Sequence, residues 1–194
     1  RSVLRPMNFP ARIVTIRCEI QNRSSVSKVM QNNIKPNWQD FYEMCKPRVV
    51  LLMLLCTLAG MFLATDDMVP LATISFCLLG VALVSGSAAA LNHLVDASVD
   101  AKMARTHNRP VAQGRVSNFQ GGVFVAITLA LGMAILMVFI NSLTAWLNLA
   151  AWAGYGIFYS VYLKRATSQN IVIGGLFGAA PPLFGWTAVT NSID

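Results

Sequence analysis

Residues 69–100 read VPLATISFCLLGVALVSGSAAALNHLVDASVD, an uncharged apolar run that ends in an asparagine and two aspartates. A bilayer core roughly 30 Å thick takes about 20 apolar helical residues to cross, and Val69 to Val95 is long enough. The same reading along the chain predicts five spans: Val49 to Thr65, Val69 to Val95, Phe119 to Ile140, Leu143 to Leu163 and Ile171 to Thr190. Of 194 residues, 55% are hydrophobic and only 12% charged. With a mean hydropathy of +0.56 the chain is too apolar for an ordinary soluble domain. The expected fold class is therefore all-α, a polytopic transmembrane helix bundle.

Charge then predicts orientation. Arg1 to Arg48 precede the first span, Lys102, Arg105, Arg109 and Arg115 lie between spans two and three, and Lys164 and Arg165 between spans four and five. All of these fall on one side, while Asp66, Asp67 and Asp194 fall on the other, so the positive-inside rule puts the amino terminus in the cytoplasm. The net charge of +7 is a topology signal, since a soluble nucleic-acid binder would not segregate its charge by loop. No nucleic-acid partner is expected; the lipid bilayer is.

Residues 1–37 are basic and rich in Pro, Asn and Ser, and are expected to be a disordered extension. Met30 opens a more coherent stretch, so residues 1–29 read as an upstream extension or a weak organelle-targeting segment. From Trp38 to Lys46 the pattern of Trp38, Phe41, Tyr42 and Cys45 predicts a short interfacial helix, and Pro47 suits the first turn of the next one. Cys18, Cys45, Cys56 and Cys77 show neither metal-ligand spacing nor a CxxCH haem-attachment motif; Cys56 and Cys77 are expected to pack inside spans.

The polar end of the second span carries the chemistry. In a helix, steps of four residues advance about 40° in angle and roughly 6 Å along the axis. Asn92, Asp96 and Asp100 thus share one face. Carboxylates beside a bilayer are costly and are kept where they face a wet cavity and a cation. Hard oxygen donors of this kind suit Mg2+ bridging to substrate phosphates. Lys102, Arg105 and Arg109 follow, and guanidinium groups bind phosphate oxygens in a fork. As loop charges they also read as topology determinants. His93 lies about 100° round the helix from Asn92 and has two readings, a packed or hydrogen-bonded histidine and a contact to an acceptor such as a haem iron. Tyr155, Tyr159, Tyr162, Trp146 and Trp152 read as interface and packing aromatics. Gly174, Gly175, Gly178, Pro181 and Pro182 allow close packing and a kink.

Asn92-x3-Asp96-x3-Asp100 followed by Arg105-Thr106-x2-Arg109-Pro110 resembles the first aspartate-rich motif of the intramembrane aromatic prenyltransferases of the UbiA superfamily. CKPRVVLLMLLCTLAGMFLA from Cys45 and YLKRATSQNIVIGGLFGAAPPLFGW from Tyr162 to Trp186 are similar to its haem-modifying branch. The resemblance covers residues 38–194 in one register. It implies a nine-helix bundle that transfers the farnesyl group of farnesyl diphosphate to a vinyl group of haem B with addition of water, giving haem O. Haem A synthase or a terminal oxidase would receive the product. Asn92, Asp96 and Asp100 would hold Mg2+ on the diphosphate; Lys102, Arg105, Arg109 and Lys164 would bind its oxygens; His93 is the candidate contact to the haem.

The chain departs from the family in reading Ala97-Ser98-Val99 where Arg-Asp-Ile is common, and in placing Tyr159 five positions before Lys164. The superfamily's second aspartate-rich motif belongs after the fifth helix, so 38–194 is expected to be the N-terminal part of the domain, inactive alone. A sister enzyme prenylating a quinone precursor and a non-catalytic transporter fragment are the alternatives; no second Asn-x3-Asp-x3-Asp supports an inverted repeat. A bacterial inner membrane is the expected location, with the mitochondrial inner membrane as the alternative.

Overall fold

Helices account for all the regular structure among the described residues. The computed structural model describes residues 36–101, 103–104, 106–163, 174–175 and 177–193, with the backbone alone for 161–163. In chain order the elements are α1 (Trp38–Met44), α2 (Pro47–Leu63), α3 (Leu71–Asp100), α4 (Asn118–Phe139), α5 (Ser142–Ala153) with a π-helical continuation (Gly154–Leu163), and α6 (Pro181–Thr190). The unit they form runs Asn37–Asp194; the extension expected over 1–37, Cys18 within it, and Asp194 lie outside the described residues except at Pro36 and Asn37.

Local chemistry sets the boundaries. Pro47 occupies the first turn of α2, as expected, where its missing N–H costs nothing. Ser117 and Gln120 cap α4 reciprocally: Ser117 Oγ accepts from Gln120 N–H at 3.2 Å and Gln120 Oε1 from Ser117 N–H at 3.1 Å. Asn141 Oδ1 accepts from Thr144 N–H at 2.8 Å and starts α5. Asn191, left-handed at φ 54°, ends α6.

Three expected spans change in form. α3 continues beyond the expected end at Val95 to Asp100, which keeps both aspartates helical as their shared face requires. The fourth run is an α-helix only to Ala153 and then widens into the π-helix. The fifth run is interrupted, because α6 begins at Pro181, which cannot donate into a ladder continuing from the preceding turn. Two described helices are long and apolar enough to cross a membrane by themselves, α3 and α4; α1 and α2, bent by 52°, qualify as a third together. Their outer faces are apolar: Leu63, Leu71 and Phe119 are 76%, 78% and 80% exposed, which suits lipid and not water.

α3 is central, with half of its most apolar stretch buried against 22% for α4. It crosses α4 where a methyl on Gly132 would lie 3.0 Å from the Gly80 carbonyl oxygen, the close approach that small residues permit between membrane helices. α2 and α6 meet more tightly still: a methyl on Gly185 would come within 2.0 Å of the Thr57 carbonyl oxygen, and one on Gly60 within 2.1 Å of that of Pro182. Cys77 is fully buried with Val81, Leu136 and Phe184, matching its expected packing role, while Cys56 is partly exposed; both thiols are free. Polar links cross the apolar interior. Ser87 Oγ donates to Val125 O at 3.0 Å and accepts from Trp152 Nε1 at 3.1 Å, tying α3 to α4 and α5.

Candidate functional site

The cytoplasm-directed end expected of α3 carries the predicted row. Asn92, Asp96 and Asp100 are all buried, at 6%, 8% and 4% exposure. Each is engaged with protein. Ser160, on the π-helix, hydrogen-bonds Asn92 Oδ1, with Tyr155 O 2.9 Å away as a second acceptor for the same hydroxyl. Arg109 Nη1 donates to Asp100 Oδ2 at 2.5 Å, so the structure joins a predicted metal ligand to a predicted phosphate ligand. Asp96 also has an interaction partner. Among the described residues no three His, Cys, Asp or Glu side chains cluster closely enough to hold a metal by themselves. The donor set still fits a hard divalent ion, since two carboxylates and an amide oxygen leave the remaining positions to water and phosphate oxygens. Lys102, Arg105, Lys164 and Arg165 lie outside the described residues.

The loop after α3 folds back over this row. Thr106 Oγ1 donates to Asp100 O at 3.3 Å, and Arg115 Nη2 to Asn108 O at 2.9 Å. Arg115 also pairs with buried Asp40 of α1, whose other carboxylate oxygen accepts from Asn37 N–H at 3.0 Å. The amphipathic helix α1 is thereby pinned to the loop that carries Arg109.

Two cavities lie near the row through His93 and Arg109 of one and Ala88 and Ala89 of the other, and none of Asn92, Asp96 and Asp100 is among their lining residues. An open polar cleft of about 390 Å³ is lined by Glu43, Lys46, His93, Thr106, Asn108 and Arg109. A mostly apolar groove of about 360 Å³ runs from Lys46 along Met53, Ala88 and Trp152 to Phe177 and Phe184. Lys46 borders both. His93 is 3% exposed and lines the cleft, yet neither ring nitrogen has a hydrogen-bond partner among the described residues. Tyr155, stacked on Tyr159 at 5.4 Å, packs in the wall of the groove, and Trp146 is exposed at 59%.

Comparison with known proteins adds the decisive observation: the UbiA prenyltransferase family matches residues 53–194, which include the whole aspartate row. The chain belongs to the UbiA prenyltransferase family. Among UbiA relatives, a "Protoheme IX farnesyltransferase" of Saccharophagus degradans is 56% identical over 164 residues, 84% of this chain and 54% of the relative. Proteins of the same name from Legionella pneumophila strain Corby and Teredinibacter turnerae are 58% and 57% identical, each over 81% of this chain and over 54% and 50% of their own lengths. The chain spans about half the length of the curated relatives it matches. No solved structure gives a significant match.

Lys46, Ser160 and the Asp40–Arg115 pair were not legible as site residues. Lys46 reads in sequence as one more topology charge, although its place between Cys45 and Pro47 at a span's start was a usable signal. Ser160 carries no signal, because only the tertiary fold brings it to Asn92, 68 positions away.

Proposed function

We propose that the protein to which this chain belongs transfers the farnesyl group of farnesyl diphosphate to a vinyl group of haem B, with addition of water, to give haem O. The observation that carries this reading is a buried Asn92, Asp96 and Asp100 row, with Arg109 salt-bridged to it, beside a polar cleft that meets an apolar groove at Lys46. A diphosphate suits the charged end and an isoprenoid the groove. Relatives named for that reaction at 56% and 58% identity support the choice of acceptor over a quinone precursor.

Asn92, Asp96 and Asp100 would hold Mg2+, which when bound supplies charge stabilisation to the departing diphosphate. Arg109 has two tasks. It neutralises Asp100 before substrate arrives and turns its fork to the diphosphate oxygens afterwards, with Lys102, Arg105 and Lys164 as further oxygen ligands. As the allylic C–O bond ionises, negative charge grows on the bridging oxygen where these cations are fixed, in a site from which the apolar wall excludes water. The electron-rich vinyl carbon then captures the farnesyl cation within the groove, and water admitted from the cleft side adds to the carbocation left on the haem side chain and loses a proton, giving the hydroxyethylfarnesyl group. Segregation of Lys and Arg to one side supports a cytoplasmic amino terminus and a bacterial inner membrane, with haem A synthase or a terminal oxidase downstream.

The test is mass spectrometry of the haems formed when membranes carrying the protein receive haem B, farnesyl diphosphate and Mg2+, beside Asp96→Ala. Haem O that disappears in the variant is the expected result. Donor consumed on a quinone precursor with no haem O would move the acceptor to the sister class.

A further inference from the structure

We propose that Phe184 and Cys56 form the floor of the apolar groove and set the length of the isoprenoid it takes at three units. The proposal rests on the prenyltransferase reading above and deepens it, naming the residues that discriminate between donors of different chain length.

Depth comes first. The mouth is at Lys46, which lines the polar cleft as well, and Cys56, ten positions further on, is the last residue of α2 on the groove wall. At a helical rise of about 1.5 Å per residue, the floor lies about 15 Å from the mouth. An isoprene unit puts four carbon–carbon bonds along the chain, about 5 Å when extended, so three units reach the floor and a fourth overruns it.

The groove ends against close packing. Phe184, 3% exposed, lines it and belongs to the same core as Met61, Cys77, Leu136 and Ala145, all fully buried. Its neighbour Gly185 lies against the α2 backbone at Thr57 and Met61, just past Cys56, which holds Phe184 at that depth. A core packed to this density accepts extra volume only by straining its side chains, so Phe184 has nowhere to retreat from a longer chain.

Beside Phe184 the wall turns polar. Asn148 of α5 lines the groove, and its Nδ2 donates to Thr144 O at 2.9 Å. Thr144 Oγ1 is 2.9 Å from Thr187 Oγ1, which also lies 3.3 Å from Phe184 O, and Thr187 O accepts from Asn141 Nδ2 at 2.8 Å. A hydrocarbon pushed into this column would part buried hydrogen-bonded groups and offer them no replacement. An apolar core and a hydrogen-bonded column therefore stop the groove on two sides, at the depth that three isoprene units fill.

The test is a competition. Membranes carrying the protein receive haem B, Mg2+ and equal amounts of geranyl, farnesyl and geranylgeranyl diphosphates, and mass spectrometry gives the ratio of the prenylated haems. A ratio taken within one reaction does not depend on how much of a variant folds. One methylene of misfit in an apolar pocket changes discrimination by roughly 10- to 200-fold. The farnesyl product dominates in the wild type. Phe184→Ala, which lowers the floor, raises the geranylgeranyl-to-farnesyl ratio by about tenfold or more, and Cys56→Phe, which lifts it, raises the geranyl-to-farnesyl ratio by as much. Phe184→Leu, the milder change, moves the ratio in the same direction as Phe184→Ala and replaces it if that variant does not fold. A wild type that uses geranylgeranyl diphosphate as readily as farnesyl diphosphate overturns the floor, as do unchanged ratios in the variants, and either result leaves the prenyltransferase reading standing. A wild type that prenylates haem B with none of the three donors overturns both.

Discussion

Asp100 and Arg109 satisfy each other in a largely buried setting, with side-chain exposures of 6% and 26%. Removing one partner of such a pair leaves an uncompensated charge, and Arg109→Ala is expected to lower stability by about 1–3 kcal/mol, the smaller end reflecting the arginine's partial exposure. Adding Asp100→Asn to Arg109→Ala restores part of that loss. Thermal melts of the single and double variants in detergent check this, and simple additivity would mean that the pair is not coupled in solution. Metal removal acts on the same residues: chelation abolishes farnesyl transfer and excess Mg2+ restores it, while retained transfer in chelator would remove the metal role given to Asn92, Asp96 and Asp100. Spacing alone placed these three on one face, because helix geometry is periodic. The pairing of Asp100 with Arg109 and the contact of Ser160 with Asn92 depend on how a loop and a distant helix return to α3, which no local pattern encodes.

Among the elements, α2 and α6 depend on an absent side chain. A methyl group on Gly185 would sit 2.0 Å from a backbone oxygen of α2, so Gly185→Val must separate the helices. The expected loss is about 2 kcal/mol or more, visible as a lower melting temperature, with Gly122→Ala, which meets nothing within 4 Å, as the neutral control. Ser87 holds a different crossing. Ser87→Ala orphans the Trp152 indole N–H and is expected to cost about 1–2 kcal/mol in the same melt. The apolar runs announced both ends of α2 and α4 and the start of α3 to within about two residues, since hydropathy and Pro or Ser caps are local, but not the extension of α3 to Asp100. The π-helix after Ala153 was not legible: Gly154 to Leu163 is as apolar as an α-helical span, and nothing in that local pattern marks the wider winding.

Across the whole molecule, the charge pattern predicts a topology that labelling can read. A cysteine placed at Asp67 reacts with an impermeant maleimide from outside intact cells, and one at His107 reacts only after permeabilisation. The reverse pattern would invert the orientation derived from Lys and Arg. The α1–loop link adds a second expectation at this scale. Arg115→Leu frees buried Asp40 and loosens α1, so proteolysis near residues 44–46 accelerates while α3 and α4 stay protected.

Composition, charge segregation and the Asn92, Asp96, Asp100 spacing determined by themselves that this is an all-α membrane protein with a row of polar side chains on one helix face at the end of its second apolar run. Those properties are additive or periodic along the chain, so position in sequence is enough to read them. The tertiary structure decided that the row is closed by Arg109, that α1 is pinned to the loop by Arg115, and that a polar cleft and an apolar groove meet at Lys46. Each of these needs residues far apart in sequence to become neighbours. That proximity is set by which helix faces pack closely, above all through Gly60, Gly80, Gly132 and Gly185, where the missing side chain allows one backbone to touch another.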